Sequence, residues 1–317
     1  MSFQRLRRAL LLALCASSAL LAACGGGNVE SQLVPSRIIA FGDGFSDLGQ
    51  RGTRYTVNDS SVNVWTQQVA SSYGRTLTSA AAGGLSYATG NARIAAKPDA
   101  AGKAATPTVK EQIDTFLATQ SFGANDLVIA SGGISDIVAE VGRLNAGSQT
   151  REQTLANIGQ AGRDMGAQLR RIVAAGGTYV MLAGSYNLGR SPWAIGTGQA
   201  GLLTEASSKF NEEMLVSIVN LGANVLYIDA ALQFNLITGL PGSYSLTNVA
   251  AIACTSVDPG PGIGTGVGEV NSALCTPATL APGIDYNAYL FADRVYPTPR
   301  GHRLFGEYAY ARFKTRF

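Results

Sequence analysis

The chain has 317 residues, 46% of them hydrophobic and only 14% charged, with 38 glycines. That length and apolar content support one large α/β domain or two small ones and exclude a disordered chain, while the glycine content suits a loop-rich scaffold better than a helical bundle. The 24 basic residues exceed the 21 acidic ones by three, and Arg5, Arg7 and Arg8 account for that excess, so the rest of the chain is near neutral. Without a Lys/Arg cluster in the sequence, nothing marks a nucleic-acid partner.

The three arginines open a leader that continues through an apolar run at 9–14 to Leu21-Ala22-Ala23-Cys24. This is an export signal and stands apart from the fold. Its end resembles a bacterial lipobox, in which the cysteine after Leu-Ala-Ala is lipidated and becomes the new N-terminus. The resemblance implies a signal peptide at 1–23, lipidation of Cys24 and a flexible tether at 24–36, beginning Gly25-Gly26-Gly27-Asn28, that holds the protein to a membrane. An ordinary signal peptide cut after a small residue, or a short membrane anchor, are the plainer alternatives. Gly25, in place of an acidic residue after Cys24, points by resemblance to lipoprotein sorting toward the outer membrane or cell surface. No later segment is apolar for long enough to cross a bilayer.

Short apolar runs at 37–41, 126–130, 178–182 and 224–228 are predicted strands. Amphipathic stretches at about 62–73, 108–119, 152–175 and 202–219 are predicted helices. Alternation of the two argues for a parallel sheet covered on both faces, a single domain over 37–317. Thr298-Pro299 places a capping hydroxyl before a proline at the first helical position and opens a last helix to about Lys314. The segment 239–290 lacks periodicity and reads as a loop insertion. Cys254 and Cys275, a pair in an exported protein, are expected to form a disulfide across it. One histidine and no paired-cysteine spacing leave no metal site.

Ligands in open α/β sheets bind beyond the carboxyl ends of the strands. Segments 42–49, 132–136 and 185–189 each follow a strand, so they converge on one rim. The first, Gly42-Asp43-Gly44-Phe45-Ser46-Asp47-Leu48-Gly49, resembles the first block of the GDSL, or SGNH, hydrolases, Gly-Asp-Ser-Leu-Ser-Asp-x-Gly, whose first serine is the nucleophile. Here that position is Gly44. Ser86-Tyr87-Ala88-Thr89-Gly90-Asn91-Ala92-Arg93 resembles the second block, with Asn91 where a glycine supplies an oxyanion-binding N–H. Gly133-Ile134-Ser135-Asp136 resembles the third, with Ser135 where an asparagine donates to the oxyanion. Asp293-Arg294-Val295-Tyr296-Pro297-Thr298-Pro299-Arg300-Gly301-His302 resembles the last, with Asp293 retained and Tyr296 where the catalytic histidine stands.

The likeness covers most of the chain after residue 38 and is to the bacterial lipase and esterase branch described as phospholipase/lecithinase/hemolysin-like. It implies a three-layer α/β/α, flavodoxin-like fold around a central parallel sheet, ester chemistry without a cofactor, and a frame in which Asp43, Ser46 and Gly90 border the substrate. Asparagine tolerates left-handed backbone, so the Asn91 donor is expected to persist. Ser135 is too short to replace an amide, and losing one oxyanion donor costs about 10²–10³ in rate. Tyrosine, with a pKa near ~10, is a poor base at neutral pH. Ser46 lies two residues from the nucleophile position and points elsewhere. His302 matches the family's second histidine, where a packing role is usual.

All four residues that name the SGNH group are thus changed on an intact frame. Loss of either nucleophile or base removes nearly all triad catalysis. The expected protein is a catalytically degenerate hydrolase that binds an acyl, lipid or glycan-like ligand, or a protein partner. Its alternatives are a working esterase with displaced groups and a scaffold. The changes look coupled, with the Tyr296 ring expected to enter the space vacated at Gly44 and to bond Asp293, Ser135 or the rim amides.

Overall fold

The computed structural model describes residues 33–317, so the expectations for the leader and for Cys24 lie outside the described residues. Four parallel strands, β1 (Arg37–Phe41), β2 (Asp126–Ser131), β3 (Tyr179–Ala183) and β4 (Val225–Ile228), stand in the order β1-β2-β3-β4. Each pairs in continuous register, Arg37 opposite Asp126 and Leu127 opposite Tyr179, for example. Every residue of β2 is buried, which fits a run of apolar side chains with a helix layer on either face.

The chain does not simply add strands in one direction. After β1 it crosses to the far side, where the Tyr87 N–H donates to the Ala40 carbonyl at 2.7 Å and the Ala40 N–H to the Leu85 carbonyl at 3.0 Å. It then returns over β1 to build β2, β3 and β4. The boundary between β1 and β2 is therefore the switch point, where a doubly wound sheet opens a crevice at its carboxyl end.

The helices are α1 (Trp65–Ser72), α2 (Val109–Thr119), α3 (Ile134–Asn145), α4 (Arg151–Ala174), α5 (Pro192–Thr197), α6 (Ala200–Ser217), α7 (Ala230–Gly239) and α8 (Pro299–Arg316). Right-handed crossovers running outward from β2 put α4 and α6 on one face, where they pack together, and the opposite excursion from β1 puts α1 on the other, against α8. Capping fixes several starts. Thr108 and Glu111 cap each other's backbone at α2, Thr150 and Gln153 do so at α4, and the Thr298 hydroxyl accepts from the Gly301 N–H at 3.3 Å with Pro299 in the first turn of α8.

Three helices, α3, α5 and α7, fall where no helix was expected. The first begins inside the third motif: Gly133, at φ 106°, turns the chain so that Ile134 and Ser135 already form its first turn. The insertion at 239–290 is also more ordered than its lack of periodicity suggested. It contains β5 (Asn248–Ile252), which pairs in parallel with β6 (Tyr289–Phe291), and the Cys254–Cys275 disulfide is formed. Short polar contacts rather than a repeating apolar face hold this segment, so no periodic pattern could announce it.

A closed site at the carboxyl end of the sheet

The turn after β1 is held from below. The Gln112 side chain accepts from the Gly42 N–H and donates to the Gly42 carbonyl, both at 2.9 Å, clamping the first residue of the turn to α2. Asp43 is fully buried. Its carboxylate accepts from the Phe45 N–H at 3.0 Å and from the Ser135 N–H at 3.3 Å, tying the first motif to the third. Burial outweighs these bonds and pushes Asp43 up to about 6.

Gly44 sits directly under Tyr296. A Cβ at position 44 would lie 2.7 Å from the Tyr296 hydroxyl oxygen and 2.8 Å from Cζ, closer than real contacts allow. The tyrosine ring thus occupies the space where a serine side chain would project. Tyr296 is buried, and burial, with the charge of Asp43 and the neighbouring Tyr55, raises its hydroxyl well above the ordinary tyrosine range. The phenol is therefore neutral and cannot act as a base.

Asp293 does not orient a base. One carboxylate oxygen accepts from the N–H groups of Val295 and Tyr296 at 2.8 and 2.7 Å, and the other from the Ser272 N–H at 3.0 Å. It is a turn-forming residue that fixes the backbone carrying Tyr296. The Tyr186 hydroxyl, donating to the Val295 carbonyl at 2.6 Å, holds the same turn from β3's side. Of the partners expected for Tyr296, Asp293 meets its backbone N–H rather than its hydroxyl. The Ser135 hydroxyl lies buried beside that phenol.

Asn91 adopts φ 64°, the left-handed conformation expected of it. Its side-chain amide donates to the Gly262 carbonyl at 3.0 Å, so the insertion reaches back onto the second motif. Gly90, expected to border the substrate, is instead sealed. Its N–H donates to Asp47 at 2.8 Å, and a Cβ there would meet the Tyr55 ring at 2.0 Å. Tyr55 itself lies 5.0 Å, centroid to centroid, from Tyr296. Two tyrosines thus cover the two glycines of the rim. Tyr55 stands in a stretch without periodicity or motif, and no sequence signal pointed to it.

Ser46 is also set differently from the expectation that it borders a ligand. Its hydroxyl is fully buried, 2.6 Å from the Ser131 hydroxyl and accepting from the Trp65 indole N–H at 3.0 Å, so its bonding capacity is used inside the core. His302 is stacked on Phe45 at 5.4 Å and accepts a 3.4 Å bond from the Trp65 backbone N–H at Nδ1, while its Nε2 has no partner. Burial lowers its pKa to about 3. Trp65 stands between Ser46 and His302, bonded to each, and no serine-to-histidine relay is formed. Trp65 is fully buried.

Behind the rim lies an ion network that the motifs named only in part. Arg93 donates to Asp136 at 3.1 Å and to Glu140 at 2.6 Å, all three nearly inaccessible, and Asp136 also accepts from the Ile94 N–H at 3.0 Å. The network ties the second motif to α3. The largest of the cavities described, about 250 Å³, opens beside Arg93, Asp99, Val138 and Gly264. Neither it nor the two smaller ones described, about 230 and 160 Å³, is lined by Gly44, Asn91, Ser135 or Tyr296.

A doubly wound parallel sheet whose first strand ends in a Gly-Asp turn and whose last helix follows an Asp-containing turn is consistent with the fold that the motifs suggested. A model of the family GDSL-like Lipase/Acylhydrolase matches residues 38–309, and the chain belongs to that family. Among solved structures, it is similar to a member of the lipolytic protein G-D-S-L family from Veillonella parvula at 14% identity, with 86% of this chain and 95% of that one covered and a TM-score of 0.44. Another solved structure shares 16% identity over 88% of this chain and 96% of its own, with a TM-score of 0.47. No curated protein matches.

Proposed function

We propose that this chain is a non-hydrolytic member of the GDSL-like lipase/acylhydrolase family, exported and anchored through a lipid on Cys24, which serves the cell envelope as a folded body rather than as an esterase. The observation that carries the reading is the Tyr296 phenol lying where a side chain at Gly44 would have to be. Ester cleavage by this fold requires a hydroxyl, a base and oxyanion donors in one place. Here the hydroxyl position is filled, and the tyrosine that replaces the base is buried and neutral. A rim closed by Tyr55 and Tyr296 also favours a scaffold over capture of an acyl, lipid or glycan-like ligand at the old centre.

The test is hydrolysis of short-chain p-nitrophenyl esters by the parent and by a variant carrying Gly44→Ser, Asn91→Gly, Ser135→Asn and Tyr296→His. The parent is expected to match the buffer rate, and the fourfold variant to exceed it. Turnover by the parent that disappears in Ser46→Ala or His302→Ala would establish displaced catalytic groups and end this reading.

A further inference from the structure

The end of the molecule opposite the Gly44 rim gathers cations that the sequence keeps far apart. Contacts around the amino ends of the strands place them together. Arg75, just beyond α1, donates to the Pro35 carbonyl at 2.8 Å, and the Leu33 N–H donates to the Phe317 carbonyl at 3.2 Å. Arg316 donates to the Gly222 carbonyl at 3.4 Å, while Arg170, near the end of α4, donates to the Asn220 side chain at 2.9 Å and to the Ser217 carbonyl. The Phe317 ring meets Tyr179, at the start of β3, at 5.4 Å. Arg312 and Lys314 lie in the same last turns of α8, and the Lys314 ammonium stands 6.0 Å from the Tyr310 ring.

Arg75, Arg170, Arg312, Lys314 and Arg316 are all exposed, and among the described residues none of the five is in an ion pair. Of the acids near this end, Asp126 is paired with Arg37 at 2.5 Å and Asp114 with Lys110 and Arg171, while Glu212, one turn before Val216 on α6, is exposed and in no ion pair among the described residues. Val34, Val216 and Val219 are 68%, 69% and 80% exposed and belong to the same segments. The described chain also begins here. Eight residues separate Leu33 from Cys24, a stretch that reaches about 30 Å at most when extended.

We propose that this end is the face that rests on a bilayer, its five cations among anionic phospholipid headgroups and its three valines at the interface. Charge and tether select the occupant. A single acyl chain anchors weakly and gains from a second signal, and each Lys or Arg near an anionic surface strengthens binding about fivefold. The orientation rests on the Cys24 anchor proposed above, whereas the affinity of the face for anionic lipid does not.

The test uses the chain from Gly25 onward, without leader or lipid, in co-sedimentation with vesicles. This body contains the four-stranded parallel sheet, the hydrophobic core and the disulfide. It is expected to bind phosphatidylglycerol-containing vesicles, not neutral phosphatidylcholine, and to release as salt rises. The combined variant Arg75→Gln, Arg170→Gln, Arg312→Gln, Lys314→Gln and Arg316→Gln is expected to lose at least a hundredfold in partition with an unchanged urea midpoint. Equal binding to both vesicle types, no binding, full binding by a folded quintuple variant, or release by a few millimolar inorganic phosphate would each overturn the proposal. Mass spectrometry of Cys24 in the full chain tests the anchor separately. An unlipidated Cys24 beside intact vesicle binding removes the anchor and keeps the face, and a lipidated Cys24 without vesicle binding does the reverse.

Discussion

The two ends of one parallel sheet have been treated in opposite ways. At the carboxyl end, where this architecture opens its crevice, Tyr55 and Tyr296 lie over Gly90 and Gly44, and the Gly90 and Ser135 N–H groups are taken up by Asp47 and Asp43. At the amino end, where the fold usually offers only loops, unpaired cations and exposed valines face outward. The difference teaches where to look for interactions in a family member with these four positions changed. Packing fills the space over Gly44, and the exposed unpaired charge lies at the other end.

The comparison breaks most readily at Tyr296. If its ring is a core element, Tyr296→Ala leaves a cavity and is expected to lower stability by about 3–5 kcal/mol, read from the urea midpoint; a loss below 1 kcal/mol would show that the ring does not pack there. Breaking the disulfide with Cys254→Ser and Cys275→Ser, a separation of 21 residues, is expected to cost roughly 3 kcal/mol, since the insertion supplies Ser272 and Gly262 to the site. Gly44→Ala is expected to cost about 1–3 kcal/mol by overpacking. That cost should largely vanish in a Tyr296→Leu background, because the ring atoms that the new Cβ would meet are then gone; an additive double-mutant cycle would sink the coupling.

A pH prediction sharpens the same contrast. Asp43 and Asp47 are buried at the carboxyl end, and desolvation raises both to about 6 from an ordinary 3.8. A carboxyl raised in the folded state contributes its stability fully below the unfolded pKa and loses it as pH rises through the folded one. Stability is therefore expected to fall between about pH 4 and pH 6–7, and Asp43→Asn should flatten part of that slope, by roughly 1–3 kcal/mol, in urea titrations across the range. The smallest effect belongs to the amino end. Removing its exposed cations singly is expected to move stability by no more than about 0.5 kcal/mol, whereas single changes at the closed rim are expected to cost about 1–5 kcal/mol.

Much of the architecture was legible before the fold was known. Four apolar runs became the four strands within one or two residues, because a parallel strand buried on both faces must be continuously apolar. Thr298-Pro299 marked the start of α8 because a cap is a local device. Nothing in the sequence announces α3, which starts inside the third motif where Gly133 takes a left-handed conformation. At the site, the resemblance to the family's motifs exposed the four altered positions. It did not show that Ser46 and Gly90 face inward, because the Trp65 and Tyr55 side chains that enclose them come from elsewhere in the chain.

The sequence by itself determined the family frame, the doubly wound sheet and the absence of the usual nucleophile and base, since these depend on local patterns and ordered motifs. Tertiary structure alone decided that Tyr296 fills the space over Gly44, that Tyr55 seals Gly90, and that Arg75, Arg170, Arg312, Lys314 and Arg316 converge on one end. Those facts depend on which distant segments meet. A near-neutral composition constrains the sum of charges but not their placement, and a missing side chain leaves a space whose occupant only packing can choose.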